Sequence, residues 1–144
     1  MSDYQLLTQL LDLPQVRVTG FDLIGAERLH VTIESSVEAA VCPTCQQVSA
    51  AGHGYADPQR LRDLSIWQRH CWLDYRPRRF KCASCQSTFV ERVGWRAAEF
   101  VYTVRYEQLL YQRARHEPIA HIAQQEQLSE DIVQGIFERG AKKT

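Results

Sequence analysis

Arg76-Pro77-Arg78-Arg79-Phe80-Lys81-Cys82-Ala83-Ser84-Cys85 and its upstream counterpart Cys42-Pro43-Thr44-Cys45 decide how the chain is read. Two residues between thiolates let both sulfurs and the intervening amides turn around one metal ion. Two such knuckles supply four soft ligands in a tetrahedron. A site closed by four cysteines leaves no open position for water, so the zinc it implies is structural. A thioredoxin-like redox motif or two disulfides are the competing readings. The redox reading needs a βαβ context, which the pattern lacks, and leaves the second motif unexplained. Cys42, Cys45, Cys82 and Cys85 are therefore the candidate zinc ligands. The interval between the knuckles is longer than in the usual ribbon, and its strand-like pattern can return the chain to the metal. Cys71, in WQRHCWLDY, reads as a small buried thiol. His53 is a spare ligand that four cysteines make unnecessary.

Outward from the knuckles, residues 4–11 (YQLLTQLL) read as a short amphipathic helix that stops near Pro14. VRVTGFDLI, the turn-like GAER and LHVTIES read as a β-hairpin. In its second strand Leu29, Val31 and Ile33 alternate with His30, Thr32 and Glu34. LRDLSI, WQRHCWLDY, RRFKC and STFVERV continue the strand pattern to Arg96. From about Ala97 the period becomes helical, with Tyr102, Tyr106, Leu109 and Leu110 expected on one face of a helix running to about His116. Pro118 suits the first turn of a second helix, and Ser129 is a good N-cap for a third. The expected fold is α+β: an N-terminal helix and β-hairpin, a zinc-ribbon-like β module, and a C-terminal helical bundle. The expected division is residues 1–96, containing a zinc module at 42–96, and residues 97–144.

The chain has 144 residues, with 17 basic and 17 acidic side chains. That length allows one compact domain or two small ones. No apolar run is long enough to span a membrane. The opening MSDYQLLTQLL shows neither a basic n-region nor a small-residue cleavage site, so no export signal is expected. An odd number of cysteines, five, without an export signal favours reduced thiols or metal ligands. Neutrality is a cancellation. Residues 1–57 carry two basic and seven acidic side chains, residues 58–96 nine and three, and residues 97–144 six and seven. The basic middle hints at a polyanion contact.

Residues 119–137 have helix-turn-helix spacing. Ala123 is small where two helices cross, Leu128 follows in the turn, and Val133 and Ile136 would pack the third helix. Such a unit presents its second helix to a major groove. Gln127 fills the turn position often taken by glycine. The candidate DNA contacts on this part are Ser129, Gln134, Arg139 and Lys142, with Gln134 suited to adenine and the cations to phosphate. Glu130, Asp131 and Glu138 on the same helix oppose phosphate. A plain helical bundle for packing or dimerisation is the alternative. In the basic run, Arg76, Arg78, Arg79 and Lys81 are candidate phosphate contacts beside a rigid knuckle. The alternative there is a solvated edge strand blunted by charge and Pro77.

The order LLDLPQVRVTGFDL, CPTC, LRDLSIW, RPRRFKCASCQSTFVERV and then a helix-turn-helix resembles the N-terminal part of ISL-three-type insertion-sequence transposases. The resemblance covers residues 6–140, and its most specific part is RRFKCxxC followed by TFVE. It implies that Cys42, Cys45, Cys82 and Cys85 bind zinc. It further implies that residues 119–139 recognise the terminal inverted repeats of a transposon as double-stranded DNA. A homodimer or a full-length transposase is the implied protein partner, and the cytoplasm of a prokaryote, at the nucleoid, the implied location. The family's DDE catalytic domain has no counterpart in these residues, so no enzymatic activity is expected of the chain alone. A truncation, a domesticated protein or an N-terminal fragment would each look like this. A zinc-containing protein–protein adaptor or a transcriptional regulator is the other reading, motivated by the acidic third helix.

Overall fold

The computed structural model describes residues 2–97 and 100–143. Helix α1 (Asp3–Leu11) starts at a capping box, in which the Ser2 hydroxyl accepts from the Gln5 N–H and the Gln5 side chain accepts from the Ser2 N–H. It ends at Asp12 in the left-handed region, φ 55°. Strands β1 (Val16–Ile24) and β2 (Arg28–Ser35) form the expected hairpin. Two short strands follow, β3 (Ala40–Val41) and β4 (Val48–Ser49), then β5 (Gly52–Tyr55), β6 (Gln59–Ile66), β7 (Arg69–Arg76), β8 (Arg78–Lys81) and β9 (Thr88–Val90). Helices α2 (Val104–Ala114), α3 (Ile119–Glu126) and α4 (Glu130–Lys142) complete the chain. The mixed α+β class read from the pattern is the class observed.

Three sheets divide the strands. β1, β2, β7 and β6 form one four-stranded sheet in that order, with β2 and β7 parallel and the other neighbours antiparallel. β3 pairs with β4, and β5-β8-β9 form a third sheet. The stretch between the two knuckles therefore does not all belong to the metal module. The β6–β7 hairpin leaves it, pairs with the N-terminal hairpin, and returns the chain through Pro77 to β8. Apolar alternation fixes the inner face of the large sheet: Val31 and Ile33 of β2, Leu61 of β6, and Cys71, Leu73 and Tyr75 of β7 are buried with Leu11 and Trp95. The Tyr75 and Trp95 rings meet edge to face at 4.9 Å. Cys71 is the buried core thiol expected of it, and burial pushes its pKa up to about 12. His30, placed by alternation on the solvent side of β2, is also buried, under Trp72 at 5.5 Å.

The helical part begins later than its hydrophobic pattern suggests. Tyr102 precedes α2 and bridges to Arg62 of β6, while Thr103 caps the helix by accepting from the Tyr106 N–H. Tyr106 and Leu110 are buried, whereas Leu109 is 43% exposed. Ile122 and Ala123 of α3 and Val133 and Ile136 of α4 close this second core, with Leu128 partly buried against it. Gly140 lies inside α4, where the Tyr111 ring of α2 occupies the space a side chain would need.

β6 joins the two halves through two adjacent charged residues. Asp63 is buried and accepts from the Thr103 hydroxyl at 2.7 Å and from Arg105 Nε and Nη2 at 2.9 and 2.6 Å. Arg105 also donates to the Leu11 carbonyl at 2.7 Å, so one side chain ties α1, β6 and α2. The neighbouring Arg62 side chain reaches Glu126 at the end of α3.

Candidate metal centre and nucleic-acid interface

Each knuckle lies between two strands of a short antiparallel pair, β3–β4 for the first and β8–β9 for the second. Their wiring repeats. The Cys42 N–H donates to the Gln47 carbonyl and the Gln46 N–H to the Cys42 carbonyl, at 2.8 and 2.9 Å. The Cys82 N–H donates to the Ser87 carbonyl and the Gln86 N–H to the Cys82 carbonyl, at 2.8 and 3.0 Å. Gln46 and Gln86 both sit at φ 66°, where glycine is the relaxed residue. Their side-chain amides donate back to the Pro43 and Ala83 carbonyls. The sequence signal for this was present in CPTCQ and CASCQ, which share glutamine after the second cysteine.

The four Sγ atoms lie within 4.8 Å of one another. Cys42 is 3.6 Å from Cys85, and Cys45 is 3.4 Å from Cys82. Sulfurs bonded to one tetrahedral zinc at about 2.3 Å are roughly 3.8 Å apart, whereas a disulfide brings them to about 2.05 Å. The observed spacing therefore fits a single ion and not two disulfides. The donor chemistry fits as well. The four donors are soft thiols. Ser87, through its hydroxyl 3.2 Å from Cys85 Sγ and its backbone amide, lowers the Cys85 thiol, while the neighbouring sulfurs raise Cys45, so the four share protons that a cation at their centre would displace. Val37, Phe80 and Phe89 pack over the buried Cys42 and Cys82, with the two phenyl rings stacked at 5.8 Å. The cluster is a structural zinc site, and His53 is exposed outside it.

The basic run divides by alternation along β8. Arg78 shares the inner face with Phe80, and its guanidinium donates to the Val37 carbonyl at 2.5 Å. It is built into the ribbon. Arg79 and Lys81 fall on the other face, and neither has an ion pair among the described residues. Arg76 is exposed, with its guanidinium 5.4 Å from the Tyr55 ring centroid.

In the helical part, Gln127 takes φ 57° between α3 and α4, so the turn has its usual geometry without glycine. The Ser129 hydroxyl accepts from the Ile132 N–H as the N-cap of α4. Val133, Ile136, Phe137 and Gly140 face the bundle, which leaves Asp131, Gln134, Gly135, Glu138 and Lys142 outward. Gln134 donates to Glu138 at 3.0 Å. Arg139 pairs with Glu107, and its guanidinium lies 3.8 Å over the Phe100 ring. Of the residues expected from the sequence, Gln134 and Lys142 are thus presented on α4, and Arg79 and Lys81 on β8. Arg78, Ser129 and Arg139 have partners within the protein.

Sequence reasoning missed the network around Glu126. This carboxylate accepts from the Tyr106 hydroxyl at 2.6 Å and pairs with Arg62 at 3.5 Å and Arg113 at 3.4 Å. Arg62 lies against the Trp72 and Tyr106 rings, at 4.6 and 5.1 Å, and meets His70 Nδ1 at 2.8 Å. Burial, reinforced by Glu126, raises the Tyr106 phenol above its ordinary value. Nothing local marks these residues, because they are gathered from four separate elements, β6, β7, α2 and α3.

A zinc ribbon carried on a mixed sheet and locked to a three-helix unit with helix-turn-helix geometry defines a class of DNA-binding module. Residues 38–85 match the zinc-finger of transposase IS204/IS1001/IS1096/IS1165, and residues 91–141 match the helix-turn-helix domain of transposase family ISL3. Together these are the N-terminal zinc-finger and helix-turn-helix region of the ISL3 transposases. The matched zinc-finger segment includes the β6–β7 hairpin that pairs with the N-terminal strands. No curated protein and no solved structure matches the chain. No described helix is long and apolar enough to cross a membrane.

Proposed function

We propose that the chain recognises the terminal inverted repeats of a transposon as duplex DNA and performs no strand transfer by itself. The observation that carries this reading is the packing of α3, the Gln127 turn and α4, which leaves one continuous face of α4 free. On that face Gln134 suits a base edge, Gly135 lets the helix backbone approach closely, and Lys142 meets phosphate. Arg79 and Lys81 on the ribbon add phosphate contacts that position the chain without reading sequence. Zinc, when bound, holds the two knuckles together and leaves the chemistry of recognition to the protein. A second copy or a full-length transposase is the protein partner in this proposal, and the setting is the nucleoid of a prokaryotic cytoplasm.

The test is a salt titration of binding to a terminal-repeat duplex beside a scrambled duplex. Preference for the repeat is expected. Arg79→Ala with Lys81→Ala should shrink the slope of log affinity against log salt by about 1.8, two lost phosphate contacts. Equal affinity for the two duplexes removes the claim of specific recognition, and no binding at low salt removes DNA binding altogether. Glu130, Asp131 and Glu138 are exposed on α4 and favour a second reading, a protein-interaction adaptor. Tight DNA binding by a monomer in light scattering would count against it.

A further inference from the structure

The turn between β6 and β7 consists of Trp67 and Gln68, at φ 44° and 69°. Two successive positive φ values make the tight hairpin turn that Asn-Gly ordinarily fills. A bulky aromatic residue is strained there. Trp67 is also 86% exposed, and it makes no ring contact or hydrogen bond among the described residues. Both features work against the isolated fold.

The hairpin under this tip is rigid. Arg62 and Asp63, a few residues back on β6, are clamped to α3 and α2. From Leu64 to Cys71 the chain carries no acid, while Arg69 and His70 lie beside the turn and Ile66 is exposed on its other side. The Arg69 Nε is buried without a hydrogen-bond partner. The closest acid on the adjoining hairpin is Glu27, whose carbonyl accepts from the His70 N–H. The tip is also continuous with the helical unit. Leu64 packs on the second core and lines a groove of about 590 Å³ with Arg139, Gly140 and Lys143 at the C-terminal end of α4.

We infer that Trp67 is a DNA-contacting wedge that sets its indole against a base step in the groove flanking the one occupied by α4. This rests on the DNA-binding reading above and adds a second element to it. A flat indole stacks on any base, so the contact adds affinity and local distortion rather than sequence readout. Leu64, three residues back along the chain on β6, lines a groove with the last turn of α4, and Arg69 lies beside the turn. A cation next to the indole, on a hairpin anchored to the helical unit, favours duplex DNA over an apolar protein pocket.

The experiment uses the zinc-loaded full chain and a short mixed-sequence duplex, with Trp67→Asn and Trp67→Phe compared by fluorescence anisotropy and thermal melting. Trp67→Asn relieves the turn, so its melting temperature should rise while its affinity for the duplex falls roughly tenfold. Trp67→Phe should keep most of the affinity. Tryptophan emission of the wild-type chain should be quenched by the duplex, and that quenching should disappear in both variants. Unchanged affinity in Trp67→Asn overturns the wedge while leaving DNA binding by α4 intact. Loss of self-association in Trp67→Asn at unchanged DNA affinity also overturns it and assigns the tip to a protein partner. Failure of the wild-type chain to bind any duplex overturns the underlying reading, and the wedge with it.

Discussion

Asp63→Ala tests whether β6 holds the helical unit onto the sheet. Asp63 is 1% exposed, and it receives two N–H groups from Arg105 and the hydroxyl of Thr103. Removing the carboxylate strands the Arg105 guanidinium and frees the residue that caps α2. Truncating one partner of a buried ion pair costs about 3–5 kcal/mol. The Arg105 side chain keeps 30% of its exposure, so water compensates in part and the low end, about 3 kcal/mol, is expected. Against a typical total of about 5–15 kcal/mol this is a large fraction. Urea unfolding of the zinc-loaded protein, followed by circular dichroism, should show the midpoint falling by roughly 1.5 M at unchanged slope. Arg105→Met should cost a similar amount, and the double variant should cost much less than the sum, because both ends of one interaction have gone. A loss below about 0.5 kcal/mol for Asp63→Ala, or strict additivity in the double variant, would refute the reasoning.

Other consequences are equally direct. Cys82→Ser should abolish zinc binding and melt β3–β4 and β5-β8-β9, whereas Cys71→Ser should keep its zinc; metal analysis of both proteins decides, and equal zinc loss would show the ligand set to be wrong. Burial, helped by Arg60 beside His30 and Arg62 beside His70, lowers both imidazoles below their ordinary 6.5. The unfolded chain therefore takes up protons first, so this stability is complete above about pH 6.5 and is lost as pH falls through the depressed folded values. His70→Gln should shrink the drop in urea midpoint between about pH 7.5 and 5.5, and an undiminished drop would assign it to other groups. Gln127→Gly relaxes φ 57° at the α3–α4 turn and should raise stability by roughly 0.5–1 kcal/mol in the same unfolding assay; a decrease would mean the glutamine side chain is needed there.

The elements were largely legible because each is written in a local period. Leu29, Val31 and Ile33 announce β2, and the capping of α4 follows from Ser129 before an amphipathic run. The α2 boundary was less legible, because Tyr102 and Tyr106 share a helical spacing whether or not the chain between them is helical. Tyr102 instead bridges to Arg62, and Thr103 starts the helix. The zinc ligands were fully legible, since two identical short spacings of a soft ligand have one economical use.

By itself, then, the sequence determined the zinc knuckles, the N-terminal hairpin and the order of helices, all of them consequences of residues close together in the chain. Tertiary structure alone decided that β7 lies parallel to β2 and that Arg62 and Asp63 reach Glu126 and Arg105. It also decided that Arg78 is bound inward while Arg79 and Lys81 have no ion pair among the described residues. These outcomes depend on which distant segments pack together. Local periodicity sets the face a side chain occupies, but carries no information about what that face will meet.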